Sequence, residues 1–190
     1  MIITPLTTLE AVNEILASIG EAPVDTVEET GNVDVENALQ MLNRVSRQVQ
    51  QDGYTFNTIE NYELQPDRFT KEIAWNNQML RVISTDNSYL RNRDGIVYDV
   101  TNNTDKFDGT LTAQVVMLVN FEELPSVFRE FITVRSARLF TSRYLGDELL
   151  LKELLEEEQR AQRRVFEYEL ALEKPTIASN TDVSDTIRRS

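Results

Sequence analysis

Any chemistry in this chain must come from carboxylates, amides, hydroxyls and guanidiniums. Its 190 residues include 32 Asp and Glu but no histidine and no cysteine. Without imidazole there is no Ser-His-Asp or Cys-His arrangement, and the commonest general base and metal ligand are missing. Without sulfur from cysteine there is no disulfide, no thiolate nucleophile and no Cys/His zinc site. The catalytic class left open is hydrolysis by two carboxylates, one of them with a raised pKa. Glu28-Glu29 and Glu122-Glu123 are adjacent acids, yet a chain this acidic makes such pairs by chance. No recognisable motif surrounds either, and Glu122-Glu123 heads a helix, where acids favour the macrodipole. Asn102 to Asp108 offers weak Ca²⁺ ligands but reads as a turn, and glycine-rich phosphate loops are absent. No catalytic residue, metal ligand or cofactor site is therefore assigned.

The cations and aromatics read as binding or packing groups. Glu156-Glu157-Glu158-Gln159-Arg160-Ala161-Gln162-Arg163-Arg164 is the densest charge run. It is either a solvated helix face with a Glu156–Arg160 pair, or a face matched in charge to another copy. Glu158 falls on an otherwise apolar seam, which costs stability unless an arginine reaches it. Arg135, Arg138 and Arg143 could face phosphate, but pairing with acids, between subunits or within the helix, suits the net charge better. These arginines, with Glu156, Glu158, Arg160, Arg163 and Arg164, are the expected subunit-interface residues. Tyr54, Phe56 and Tyr62 could form a stacking platform, although alternating aromatics usually face a core.

The elements that must position these groups follow from periodicity. Thr7 and Glu10 have capping-box spacing, and Leu9, Val12, Leu16 and Ile19 repeat at helical intervals up to Gly20. After a loop over 21–33, a second helix is predicted from Asp34 to Asp52, with Val35, Leu39, Leu42, Val45 and Val49 inward and Gly53 as its stop. The period then changes to that of strands. Tyr54–Thr58, Tyr62–Leu64, Leu80–Ile83, Ile96–Tyr98 and Thr110–Val119 are strand candidates, and Asp94-Gly95 marks a hairpin. Helical period returns at Leu124-Pro125, with proline in the first turn and Phe128, Ile132, Ala137, Leu139, Phe140 and Tyr144 apolar, as far as Gly146. Asp147 caps a last helix whose seam is Leu151, Leu154, Glu158, Ala161, Val165, Tyr168 and Leu172, stopped by Pro175. The expected fold is α+β: a four-helix unit (1–53 and 121–175), an antiparallel β insertion (54–120) and a flexible tail (176–190). In that tail Ile177, Val183, Ile187, Arg188 and Arg189 suit docking into a groove on an acidic partner.

Charge narrows the partners. Nineteen basic residues against 32 acidic leave a formal net charge of −13. That balance disfavours tight nucleic-acid binding and anionic membrane surfaces. The longest apolar run, Val115–Val119, falls far short of the ~18 residues of a membrane span. The Met-Ile-Ile-Thr-Pro start has no signal-peptide pattern, so an intracellular protein at synthesis is expected.

Several separated blocks then carry a family likeness. They are LEAVNEILASIGEAPV (Leu9–Val24), ALQMLNRVSRQVQQDGYTFN (Ala38–Asn57), VYDVTNNTDKFDG (Val97–Gly109), LPSVFREFITVRSARLFTSRYLG (Leu124–Gly146) and the EEEQRAQRR helix. In this order and spacing the chain resembles the tail tubular protein A family, the head-to-tail adaptors of short-tailed, podovirus-type phages. Tyr54 stands where the family pattern usually has Trp, and the segment after Thr176 is unmatched. The resemblance implies a structural virion protein of the neck, a homo-oligomeric ring of twelve copies. It implies a portal protein above, a nozzle similar to tail tubular protein B below, and tail fibres nearby. It also implies passing, non-sticky contact with genomic DNA during ejection, and no membrane. The alternative is a carboxylate-dependent cell-wall glycan hydrolase, alone or as a side activity of such an adaptor. Portal docking would fall to Ile177, Val183, Ile187, Arg188 and Arg189.

Overall fold

The computed structural model describes residues 6–28, 31–85 and 88–178, with side chains as far as Leu172. The chain divides into two compact units, one of residues up to 46 and from 121 onward, the other of residues 47–120. The fold class is α+β, as expected from the change of period.

The first unit is helical. Helix α1 spans Thr8–Ala17 and opens with the predicted capping box, Thr7 accepting from the Glu10 amide while the Glu10 carboxylate accepts from the Thr7 amide. Two of the orphan amides at the helix start are thereby satisfied, a contribution of about 1 kcal/mol. A second carboxylate, Glu122 Oε1, accepts from the Thr8 amide at 3.2 Å. Glu122-Glu123 thus belongs to a 3₁₀ turn (Phe121–Glu123), and Glu122 complements the start of α1 instead of the helix that follows it. Ala11, Val12, Ile15 and Leu16 are buried, while Leu9 and Ile19 at the ends of the expected stripe are half-buried.

Helix α2 spans Val33–Gln50, and its residues up to 46 belong to this unit. Val35, Ala38, Met41, Leu42 and Val45 form its buried stripe. Helix α3 spans Ser126–Tyr144 and packs against both α1 and α4 (Glu148–Ala178). Pro125 lies one residue outside α3, as its N-cap, because its ψ of 143° is extended. Being enclosed on two sides, α3 buries more than one stripe. Phe128, Phe131, Ile132, Ala137 and Phe140 are buried, and so are Thr133, Ser136 and Thr141. The hydroxyls of Thr133 and Ser136 donate to the carbonyls of Arg129 and Ile132 one turn back, which removes the cost of burying them. The Thr141 hydroxyl donates to Ser18 Oγ at 2.8 Å.

In α4, Asp147 Oδ1 accepts from the Leu149 and Leu150 amides, the expected cap. Leu154, Glu158, Ala161 and Val165 are buried and Tyr168 packs edge-on to Phe128 at 6.1 Å, so the predicted seam is present over those turns. Leu172 at its end is exposed. The expected stop at Pro175 is overturned, since α4 continues to Ala178. A proline removes one amide and crowds one carbonyl, which weakens a helix at that turn without always ending it.

The second unit holds the β elements. Strands β1 (Thr58–Leu64), β5 (Leu111–Met117) and β2 (Met79–Ser84) form an antiparallel sheet in that order, and β3 (Leu90–Arg93) pairs with β4 (Ile96–Asp99). The hairpin turn is Asp94-Gly95, both at positive φ (54° and 82°), as a two-residue turn of the right hand requires. Leu64, Ile73, Met79, Val82, Leu90, Val97, Ala113 and Val115 make the core, flanked by Tyr62, Trp75 and Phe107.

The strand expected over Tyr54–Thr58 is instead a turn as far as Asn57. The Asn57 side chain forces it. Its Oδ1 accepts from the Tyr54 amide at 2.8 Å, and its Nδ2 donates to the Gln50 and Met117 carbonyls at 3.0 and 2.9 Å. Gln50, fully buried, clamps Val119 with both ends of its amide, at 2.9 and 2.8 Å. Gly53, at φ +79°, lies inside this knot; a Cβ there would meet Arg81 Nη2 at 2.6 Å and Val116 Cγ2 at 3.0 Å.

Candidate assembly surface

The charged groups singled out by residue type lie on α3 and α4 of the helical unit. On the α3–α4 seam, Glu158 is met from α3 by Arg138, whose Nε donates to Glu158 Oε2, and by Arg135, whose Nε lies 3.7 Å from Oε1. The arginine that the seam position demanded is therefore supplied by the same chain. The two side chains keep part of their surface in solvent, 25% for Arg138 and 35% for Arg135, with the Arg135 guanidinium also over the Phe131 ring. One carboxylate between two guanidiniums leaves a net positive spot, and Arg135 Nε is buried without a hydrogen-bond acceptor.

Farther along α4, Arg164 pairs with Glu130 of α3, at 2.7 Å to Oε2. Arg160 lies 4.0 Å from Glu157, one residue off the expected Glu156 partner. Glu156 and Arg163 are exposed with no ion pair among the described residues. The Glu14 carboxyl, on α1, is pushed above the ordinary range by lost hydration and then by the negative charges of Glu130, Glu157 and Glu10. It nevertheless keeps solvent access. The Glu10 carboxyl is held low by the hydrogen bonds from Thr7.

A second stripe of α4, beside the seam, mixes exposed apolar residues with amides. Leu155, Gln159, Gln162, Phe166 and Leu170 recur at three- and four-residue intervals, so they share one side of the helix. All five are exposed, Phe166 by 64%. Sequence reasoning took the seam and missed this second stripe, whose signal was present as Leu155, Phe166 and Leu170 out of phase with the seam.

Arg143 does not join the seam. It lines a cleft of about 570 Å³ between α2 and the end of α3, with Asn37, Gln40, Asn43, Arg44 and Tyr144. Asn37 Nδ2 donates to the Tyr144 hydroxyl at 2.9 Å, and the Tyr144 ring stacks on Phe140 at 4.3 Å. Neither Arg44 nor Arg143 has an acidic partner within 4.0 Å among the described residues.

The remaining expectations divide. Tyr54 and Phe56 do stack, at 6.0 Å, but Tyr62 packs against the β core and the three make no platform, because the Asn57 turn takes the first two out of the strand. Asn102–Asp108 is a turn region in which Asp99 accepts from the Asn102 backbone and side chain. No group of three or more acids is placed to hold a metal among the described residues. Val183, Ile187, Arg188 and Arg189, and Glu29 of the first acidic pair, lie outside the described residues; Ile177 is in α4 with its side chain undescribed. No described helix is long and apolar enough to cross a membrane.

A helical unit with an ion-paired seam and a separate β unit puts the chain in the α+β class. Comparison with known proteins gives that class a family. The sequence profile described as Tube: Tail tubular protein matches residues 9–175, so the chain belongs to the tail tubular protein family. It is 32% identical over 119 residues to tail tubular protein A of Klebsiella phage KP34. That match covers 62% of this chain and 62% of the relative's length. The family is one of structural proteins of the phage tail, the family that the separated sequence blocks resemble.

Proposed function

We propose that this chain is the ring-forming adaptor between portal and tail nozzle, and that its ring forms part of the DNA ejection channel. Twelve copies are expected from the resemblance, with tail fibres attached nearby. The observation that carries the reading is the outward stripe of α4. An exposed Leu-Gln-Gln-Phe-Leu face on a long helix is unfavourable in a free monomer and is covered when copies stand side by side. Its flanking charges, Glu156 and Arg163, are then free to pair across the joint, as helix interfaces often arrange. Arg135, Arg138, Arg160 and Arg164 remain at the edges of that joint, with Glu158 behind them. Portal docking belongs to the C-terminal segment bearing Ile177, Val183, Ile187, Arg188 and Arg189. The excess of carboxylates suits a channel wall, since it repels the DNA backbone and keeps the passing genome from sticking.

The test is the mass of the purified chain, with negative-stain imaging, alone and mixed with the cognate portal ring. A closed layer of about twelve copies on the portal, the number implied by the family likeness, is the expected result. A chain that stays free beside a properly folded portal overturns the reading.

A further inference from the structure

The cleft of Arg44 and Arg143 is unusual in so acidic a chain. Arg44 and Arg143 line about 570 Å³ of space together with Asn37, Gln40 and Asn43. Arginine forks with neighbouring amide donors are suited to carboxylates and to the backbone that carries them. The same unit also carries carboxylates with no described ion pair. Glu21, Asp25 and Glu28 stand exposed on the loop between α1 and α2, within a stretch, residues 1–53, of nine acidic and two basic side chains. This loop is held in place at its middle, where Asn13 accepts from the Val24 amide at 2.8 Å and donates to the Val24 carbonyl at 3.0 Å. Its three acids do not pair with the chain's own Arg44 or Arg143. The cations of the cleft and the acids of the loop are thus both without an ion pair among the described residues.

We propose that the Arg44–Arg143 cleft receives the Glu21–Glu28 loop of a second copy of this chain. The proposal rests on the ring reading and gives it a joint. A cleft on one copy and a loop on the next make a head-to-tail contact, the kind that generates rings when the rotation closes. It also answers the charge problem. Copies of net charge −13 repel, and association needs a place where fixed positive charge meets fixed negative charge. Pro23 and Val27, on the same loop, supply apolar contact for the exposed Tyr144 ring.

Charge reversal tests this on the full chain. Arg44→Glu with Arg143→Glu, and separately Asp25→Lys with Glu28→Lys, are compared with the unaltered protein by mass measurement, and circular dichroism checks that each variant is folded. Each reversed side alone should weaken assembly about 30-fold or more, and more salt should weaken the unaltered assembly. A chain carrying both reversals should assemble again, because cleft and loop have exchanged signs. If either reversed side alone assembles as before, the loop-in-cleft contact is wrong while the ring reading stands. If only the cleft variant fails, the cleft takes another occupant and the proposal is overturned. If the unaltered chain forms no oligomer, alone or with the portal, the ring reading fails and takes this joint with it.

Discussion

Arg138 and Arg143 stand five residues apart on α3 and have opposite fates. Arg138 turns into the α3–α4 seam and is answered by Glu158, itself buried among Leu154, Ala161 and Val165. Arg143 lines the cleft beside α2, with amides, Met41, an aromatic pair and another guanidinium. The first arginine is part of what folds the chain, because its removal strands a carboxylate out of water. The second contributes little to folding, because water already solvates it. Residue type alone does not separate a structural cation from a docking one; the separation comes from which helix faces it.

The comparison breaks most visibly at Glu158. Replacing Glu158 with Leu leaves Arg138 and Arg135 facing an apolar group. We expect a loss of about 2–3 kcal/mol, below the ~3–5 kcal/mol of a fully buried pair, because both arginine side chains keep partial access to water. Urea denaturation measures it. Adding Arg138→Met to Glu158→Leu should recover more than half of that loss, since an apolar pair replaces an ionic one at similar volume. An additive result instead would mean that the pair is not coupled. The next effect, in the β unit, asks whether a neutral network behaves like the ionic one. Asn57→Ala leaves the Tyr54 amide and two carbonyls without their partner, and a loss of about 2 kcal/mol is expected in the same measurement.

The ionic seam was legible because Glu158 interrupts an apolar periodicity, and a buried carboxylate demands a cation. The hairpin was legible because Asp-Gly has few other uses between two β-type runs. Asn57 was not. Tyr54, Phe56 and Thr58 alternate as a strand does, and only side-chain hydrogen bonds to Tyr54, Gln50 and Met117 turn that segment into a turn. Thr133, Ser136 and Thr141 lie off the apolar periodicity of α3, and bonding to nearby carbonyls and to Ser18 lets the helix bury them. The cleft left no local signal at all, since Arg44 and Arg143 come from helices nearly a hundred residues apart. Pairing across such a distance is a property of packing, and periodicity within one helix carries no record of it.

A smaller effect sharpens the contrast from the acidic side. Glu14 is a carboxylate among like charges, and its pKa is raised by lost hydration and by Glu130, Glu157 and Glu10. The folded state therefore binds this proton more tightly than the unfolded chain does. The resulting penalty is absent below the ordinary carboxylate pKa and grows as pH rises through the folded value. Glu14→Gln should stabilise the protein at neutral pH by less than about 1 kcal/mol, given its exposure, with the gain vanishing in acid. Thermal melts from pH 4 to pH 8 would show the two curves converging at the low end; parallel curves would remove like-charge crowding as the cause.

The smallest folding effect belongs to Arg143, and its smallness is the point. Arg143→Ala removes an exposed guanidinium with no acidic partner among the described residues, from the last turn of α3. The aliphatic stem covers some of the cleft wall and the charge favours the helix C-terminus, each a modest contribution. Folding stability should therefore stay within ~0.5 kcal/mol of the unaltered chain, the range of ordinary surface substitutions. Arg138→Ala, at the same residue type on the same helix, should cost several times more, because Glu158 is then left facing a single, poorly placed Arg135. Measuring the two variants side by side in urea isolates position from chemistry. Equal losses would show that Arg143 is structural after all, and the cleft would then be a packing defect instead of a surface kept open for another chain.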